Sequence, residues 1–120
     1  MKTITLNNNQ TMEAVEVYGG KELYQGSRRE YLEIVVPKED NTVEELEAAL
    51  SEEACRELTI TEEGGGQFVH SGYVLRGGAR VWQDEESGTW YIAVKRYQRT
   101  ELERTVAQLQ AEVAALQNGG

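Results

Sequence analysis

Trp90-Tyr91-Ile92-Ala93-Val94-Lys95-Arg96-Tyr97 passes into Gln98-Arg99-Thr100-Glu101-Leu102-Glu103-Arg104-Thr105-Val106 with no glycine or proline between, and the period of the pattern changes at the junction. In the first part Trp90, Ile92 and Val94 alternate with Tyr91, Ala93, Lys95 and Tyr97. That is the two-residue period of a strand, and the first set is the expected core face. From Gln98 the period is three and a half: Leu102, Val106, Leu109, Val113 and Leu116 step 4-3-4-3, with Val at heptad positions a and Leu at d. Such a narrow seam is what a parallel helical oligomer requires. A helix is therefore expected over 98–118, following directly on the strand and stopped by Asn118-Gly119-Gly120.

The seam has two readings. It is either the contact between copies of the chain or the apolar stripe of a helix folded back on its own sheet. Its narrowness favours association, although five layers fall short of the usual run of about three to four full heptads. A coil this short needs help from a larger interface or from a particle that gathers copies. Positions e and g hold Glu103, Thr105, Gln110, Glu112 and Gln117, which offer no paired charges to choose a dimer over a trimer.

Upstream of the junction the pattern is mostly strand. Thr3–Leu6 and Thr11–Tyr18 read as a hairpin around Asn7-Asn8-Asn9-Gln10, with Gly19-Gly20 as a break. Glu30–Val36 places Leu32, Ile34 and Val36 on one face and stops at Pro37. Thr42-Val43-Glu44-Glu45 is a capping box that opens a helix with Val43, Leu46, Ala49 and Leu50 as its stripe. Leu58–Thr61 is a strand. Gln67–Arg76 reads as another, bulged at Gly72, and Ala79–Gln83 forms a hairpin with Thr89–Tyr97. Its register is open, since either Val81 faces Ile92 or Trp82 faces Trp90. The fold class is α+β, mainly antiparallel, with about seven strands in the order β-β-β-α-β-β-β-β-α. Residues 1–97 form one small domain, 98–118 the terminal helix, and no internal repeat is apparent.

The chain has 120 residues, a net charge of −9 and one cysteine. A lone Cys55 excludes an internal disulfide and fits a reducing compartment. The opening Met1-Lys2-Thr3-Ile4 carries no apolar leader, and no apolar run is long enough to span a bilayer, so cytoplasmic synthesis is expected. Ten carboxylates fall between Lys38 and Glu63 against Lys38 and Arg56 alone, which argues against nucleic-acid and anionic-membrane partners.

Catalytic constellations are missing. The carboxylates lack a calcium-loop pattern and read as a solvated helix face. His70 and Cys55 together are too few for zinc, and Gly64-Gly65-Gly66 and Gly77-Gly78 lack phosphate-loop context. No metal or cofactor is expected. Arg28 and Arg29 read as solvated loop residues. Trp82, Tyr91 and Tyr97 are a possible stacking platform for a glycan or peptide, against the plainer reading that they half cover a sheet edge.

Several segments carry a resemblance: Tyr24-Gln25-Gly26-Ser27-Arg28-Arg29-Glu30 leading into Leu32-Glu33-Ile34-Val35-Val36-Pro37, Val43-Glu44-Glu45-Leu46, Leu58-Thr59-Ile60-Thr61, Ser71-Gly72-Tyr73-Val74-Leu75-Arg76, and Lys95-Arg96-Tyr97-Gln98-Arg99-Thr100-Glu101. In these the chain resembles a family of small proteins encoded among the tail genes of prophages in Gram-positive gut bacteria. The resemblance implies a non-enzymatic tail or baseplate accessory protein, with neighbouring tail proteins or further copies as partners, and it transfers no site residue. Two other readings stay open: a small glycan- or peptide-binding module, and a cytoplasmic chaperone or adaptor for tail assembly.

Overall fold

Each apolar alternation forms a strand, and the strands number eight rather than seven. The computed structural model describes residues 1–119. The elements are β1 (Lys2–Thr5), β2 (Thr11–Ala14), β3 (Glu16–Tyr24), β4 (Ser27–Pro37), α1 (Val43–Ala49), β5 (Glu57–Thr61), β6 (Gln67–Ser71), β7 (Leu75–Gln83), β8 (Trp90–Tyr97) and α2 (Glu101–Gly119), with short 3-10 turns at Lys38–Asp40 and Ala54–Arg56. Two antiparallel four-stranded sheets result, in the orders β2-β1-β5-β6 and β3-β4-β8-β7. Ile4, Leu58 and Ile60 from the first sheet meet Leu32, Ile34, Val36, Ile92 and Val94 from the second, and Leu46 of α1 with Leu50 at its C-cap completes this buried core.

The extra strand comes from splitting. Thr11–Tyr18 is not one strand, because the chain changes sheets at Val15, whose N–H is captured by the Val35 carbonyl at 2.8 Å. Gly19-Gly20 then lies within β3 and breaks nothing. The Gln67–Arg76 run divides in the same way. Gly72 turns with φ +80° and donates to the Arg56 carbonyl at 3.0 Å, so β6 stays in one sheet while β7 enters the other. Gly77-Gly78 makes a bulge inside β7. Both edges of the first sheet thus continue into edges of the second.

Val81 faces Ile92, which settles the last hairpin's register, with Gln83 opposite Trp90. Trp90 is not core, however, and stays 46% exposed. The strand β4 ends at Pro37, opposite Tyr91, so Trp90 lies beyond the last residue that has neighbours on both sides.

The fold repeats internally, contrary to the sequence expectation. The order β-β-β-β-α occurs twice, and each sheet is symmetrical about a central pair, β1 with β5 and β4 with β8. In the hairpins β1–β2 and β5–β6 the correspondence is residue by residue. Lys2 faces Ala14 as Leu58 faces His70, and Thr5 faces Thr11 as Thr61 faces Gln67. Their turns share hydrogen bonds, Leu6 N–H to Gln10 O and Glu62 N–H to Gly66 O both at 2.8 Å, and left-handed residues, Asn9 and Gly65.

Candidate functional site

The terminal helix starts after a three-residue connection, Gln98-Arg99-Thr100, and not directly from the strand. Thr100 and Glu103 form a reciprocal capping box. The Glu103 N–H donates to Thr100 Oγ1 at 3.2 Å, and the Thr100 N–H donates to Glu103 Oε1 at 2.8 Å. The sequence signal was present, since Thr100-Glu101-Leu102-Glu103 has the same form as Thr42-Val43-Glu44-Glu45 at α1, where the Glu45 N–H donates to Thr42 Oγ1 at 3.1 Å.

Beneath the cap sits Arg29, which is buried and not a solvated loop residue. Its Nε donates to the Tyr24 carbonyl at 2.8 Å, Nη1 to the Gln98 carbonyl at 3.3 Å and to Glu103 Oε1, and Nη2 to Glu103 Oε2 at 2.9 Å and the Gln25 carbonyl at 3.4 Å. The bidentate pair, with the Thr100 N–H second, holds the Glu103 carboxyl down to about 2. Arg99 Nη2 reaches Glu52 at 2.6 Å, and the Gln98 N–H continues the strand ladder to the Glu30 carbonyl at 2.9 Å. The first turn of α2 is therefore tied to β4, to the β3–β4 turn and to the segment after α1.

Beyond this anchor α2 leaves the sheets. From Glu101 to Asn118 only Glu103 and Ala107 are half-buried, and the molecule measures 61 × 31 × 26 Å along its principal axes. The heptad residues face solvent: Leu102 is 72% exposed, Val106 44%, Leu109 54%, Val113 51% and Leu116 77%. They do not lie on the sheet, so the fold-back arrangement is not the one adopted.

Among the aromatics, Trp82 and Tyr91 are cross-strand neighbours with centroids 5.6 Å apart, and the Arg80 guanidinium lies 4.2 Å over the Trp82 ring. Tyr97 does not join them. It is buried at the other end of β8, stacked on Tyr24 at 4.0 Å with its hydroxyl donating to Glu22. Desolvation, then the Glu22 carboxylate, raises the Tyr97 pKa. The three residues proposed as a platform thus divide into an open pair and a packed residue.

The acidic segment is also more engaged than a solvated face. Glu47, nearly buried, accepts from Arg96 Nη2 at 3.1 Å and forms an ion pair with Arg76 Nε at 2.5 Å, while Arg96, itself buried in β8, donates through Nε to the Leu50 carbonyl at 3.1 Å. This ties α1 to β8. Cys55 is buried beside them, and burial pushes its thiol pKa up, which disfavours the reactive thiolate. His70 meets Tyr73 edge-on at 5.9 Å. Among the described residues no three His, Cys, Asp or Glu side chains are placed to share a metal ion, and no helix is long and apolar enough to cross a membrane.

Compared with protein-family models, with curated proteins and with solved structures, the chain finds no match.

Proposed function

We propose that this chain is a non-enzymatic assembly protein, a structural or accessory component of a phage tail or tail-like particle, and that its copies associate through α2. The observation that carries the reading is the row of five apolar side chains at heptad spacing, all 44% or more exposed, on a helix anchored only at its first turns. Most of a helix's stability in a protein comes from packing of its apolar face, and the domain leaves that face of α2 uncovered. The occupant of the seam is a second copy. The seam residues are all Leu and Val, so the stripe is complementary to itself, and Glu112 is the only charged residue after Arg104 to oppose close approach. Residues Glu103 and Ala107 face the domain, to one side of the seam, so the domain does not block it. The tail setting rests on the resemblance in sequence, and there neighbouring tail proteins supply the larger interface that five layers lack.

Light scattering coupled to size exclusion, on the full chain and on a version ending at Gln98, tests the reading. A full-length dimer or trimer with a folded monomeric truncation supports it. A full-length monomer at all concentrations sinks self-association.

A further inference from the structure

A second surface lies on the far side of α2. Of the twelve lysines and arginines, eight have a carboxylate within hydrogen-bonding or ion-pair reach among the described residues. The other four are Lys21, Arg28, Lys38 and Arg104. Lys38 lies over the Trp90 ring, 5.4 Å from its centroid. Lys21, Arg28 and Arg104 instead line one cavity of about 370 Å³ between the β3–β4 hairpin and the first turns of α2. Arg29 and Arg99 border it but are engaged with Glu103 and Glu52. In a chain of net charge −9, the fold brings three cations from β3, β4 and α2 to one cavity with no carboxylate in ion-pair contact with any of them among the described residues, a concentration of positive charge that favours an anion.

We propose that this cavity binds a phosphate group. Glu30, which faces Lys21 across the β3–β4 ladder, and Glu101 also line it, but among the described residues neither comes within ion-pair distance of the three cations, which leaves their donors open to an incoming anion. A phosphate carries about two charges and three acceptor oxygens, enough for two guanidiniums and an ammonium at once. Thr100 lines the same space, and because its hydroxyl oxygen accepts the Glu103 N–H, the hydroxyl proton is free to donate. The cavity is at the small end of ligand pockets, suited to a phosphate with a small substituent. Arg104 follows Leu102 by two positions, roughly 200° around the helix, so the cavity is open whether or not the seam is occupied. The proposal is thus independent of self-association.

The test is a nitrogen-15 NMR titration of the full chain with pyrophosphate, inorganic phosphate and glycerol phosphate, with succinate as a dicarboxylate control. Saturable shifts of the Thr100 amide and of the Arg28 and Arg104 side chains are expected, with succinate binding more weakly. Arg28→Gln and Arg104→Gln should each weaken pyrophosphate by about tenfold, as loss of one charge-assisted contact does. Lys38→Gln, which removes an unpaired cation elsewhere, should leave it unchanged. The ranking of glycerol phosphate against inorganic phosphate distinguishes an ester ligand from the free anion. Shifts that do not saturate, or equal weakening by Lys38→Gln, would overturn the site in favour of diffuse charge screening.

Discussion

Arg29 and Glu103 are 74 positions apart, yet the guanidinium of one closes on the carboxylate of the other and through it on the first turn of α2. One carboxylate acts twice, as half of a capping box and as the partner of a buried cation. The direction in which the helix leaves the domain is set there.

That double role has a pH signature. In an unfolded chain the Glu103 carboxyl takes up its proton near its ordinary value of 4.5, whereas in the folded chain it holds out to about 2. The clasp therefore contributes fully above about pH 4.5, less as the pH falls, and nothing once the folded carboxyl is protonated near 2. The carbon-13 shift of the Glu103 carboxyl should titrate with a midpoint near 2. A midpoint near 4.5 would show that the clasp is not made in solution.

At the other helix the pair is more deeply enclosed. Removing Glu47 leaves Arg96 as an uncompensated buried charge, and Glu47→Ala is expected to cost about 3–5 kcal/mol in urea unfolding. Replacing both, as Glu47→Leu with Arg96→Met, should cost less than the single change, because no charge is then stranded. A double variant less stable than the single one would mean that Arg96 matters mainly through its bond to the Leu50 carbonyl.

The bulge in β7 depends on close approach. A Cβ at Gly77 would lie 2.7 Å from the Tyr97 ring and 2.9 Å from the Lys95 carbonyl oxygen, and backbone cannot move aside cheaply. Gly77→Ala should destabilise by about 1–3 kcal/mol. Gly78→Ala, with nothing within 4 Å, should change stability by less than about 0.5 kcal/mol. Thermal melts of the two variants check the contrast.

On the seam, Leu109→Asp puts a charge into the middle apolar layer. The expected result is loss of the oligomer by light scattering, with the thermal transition of the sheets unchanged, since Leu109 touches none of the core. Unfolding of the domain by this substitution would contradict the exposure of the seam.

Much of the fold could be read from single segments, because period and caps are local. The alternation of β8, the Thr42 cap and the heptad all lie within a few residues of themselves. What escaped was long-range. A change of sheet at Val15 takes one residue and leaves no mark on the pattern. Arg29 reads as solvated because charged residues mostly are, and nothing local marks Arg96 as buried; only the topology shows what lies above them. The repeat is hidden because few residues recur: Thr3-Ile4-Thr5 and Thr59-Ile60-Thr61 match, but the turns between strands keep only their backbone bonds. At α2 the Thr100–Glu103 cap was legible and was obscured by beginning the helix at Gln98.

The two-fold arrangement of the strands means that neither half completes a sheet by itself. Each half supplies one central and one edge strand to both sheets, so either by itself presents two open sheet edges and an uncovered apolar face. Such a half is a natural self-pairing unit, and joining two in one chain turns an encounter between molecules into a certainty within one. It also frees the copies to differ. The first half uses its helix to close the sandwich, and the second, relieved of that duty, extends its helix outward as a handle.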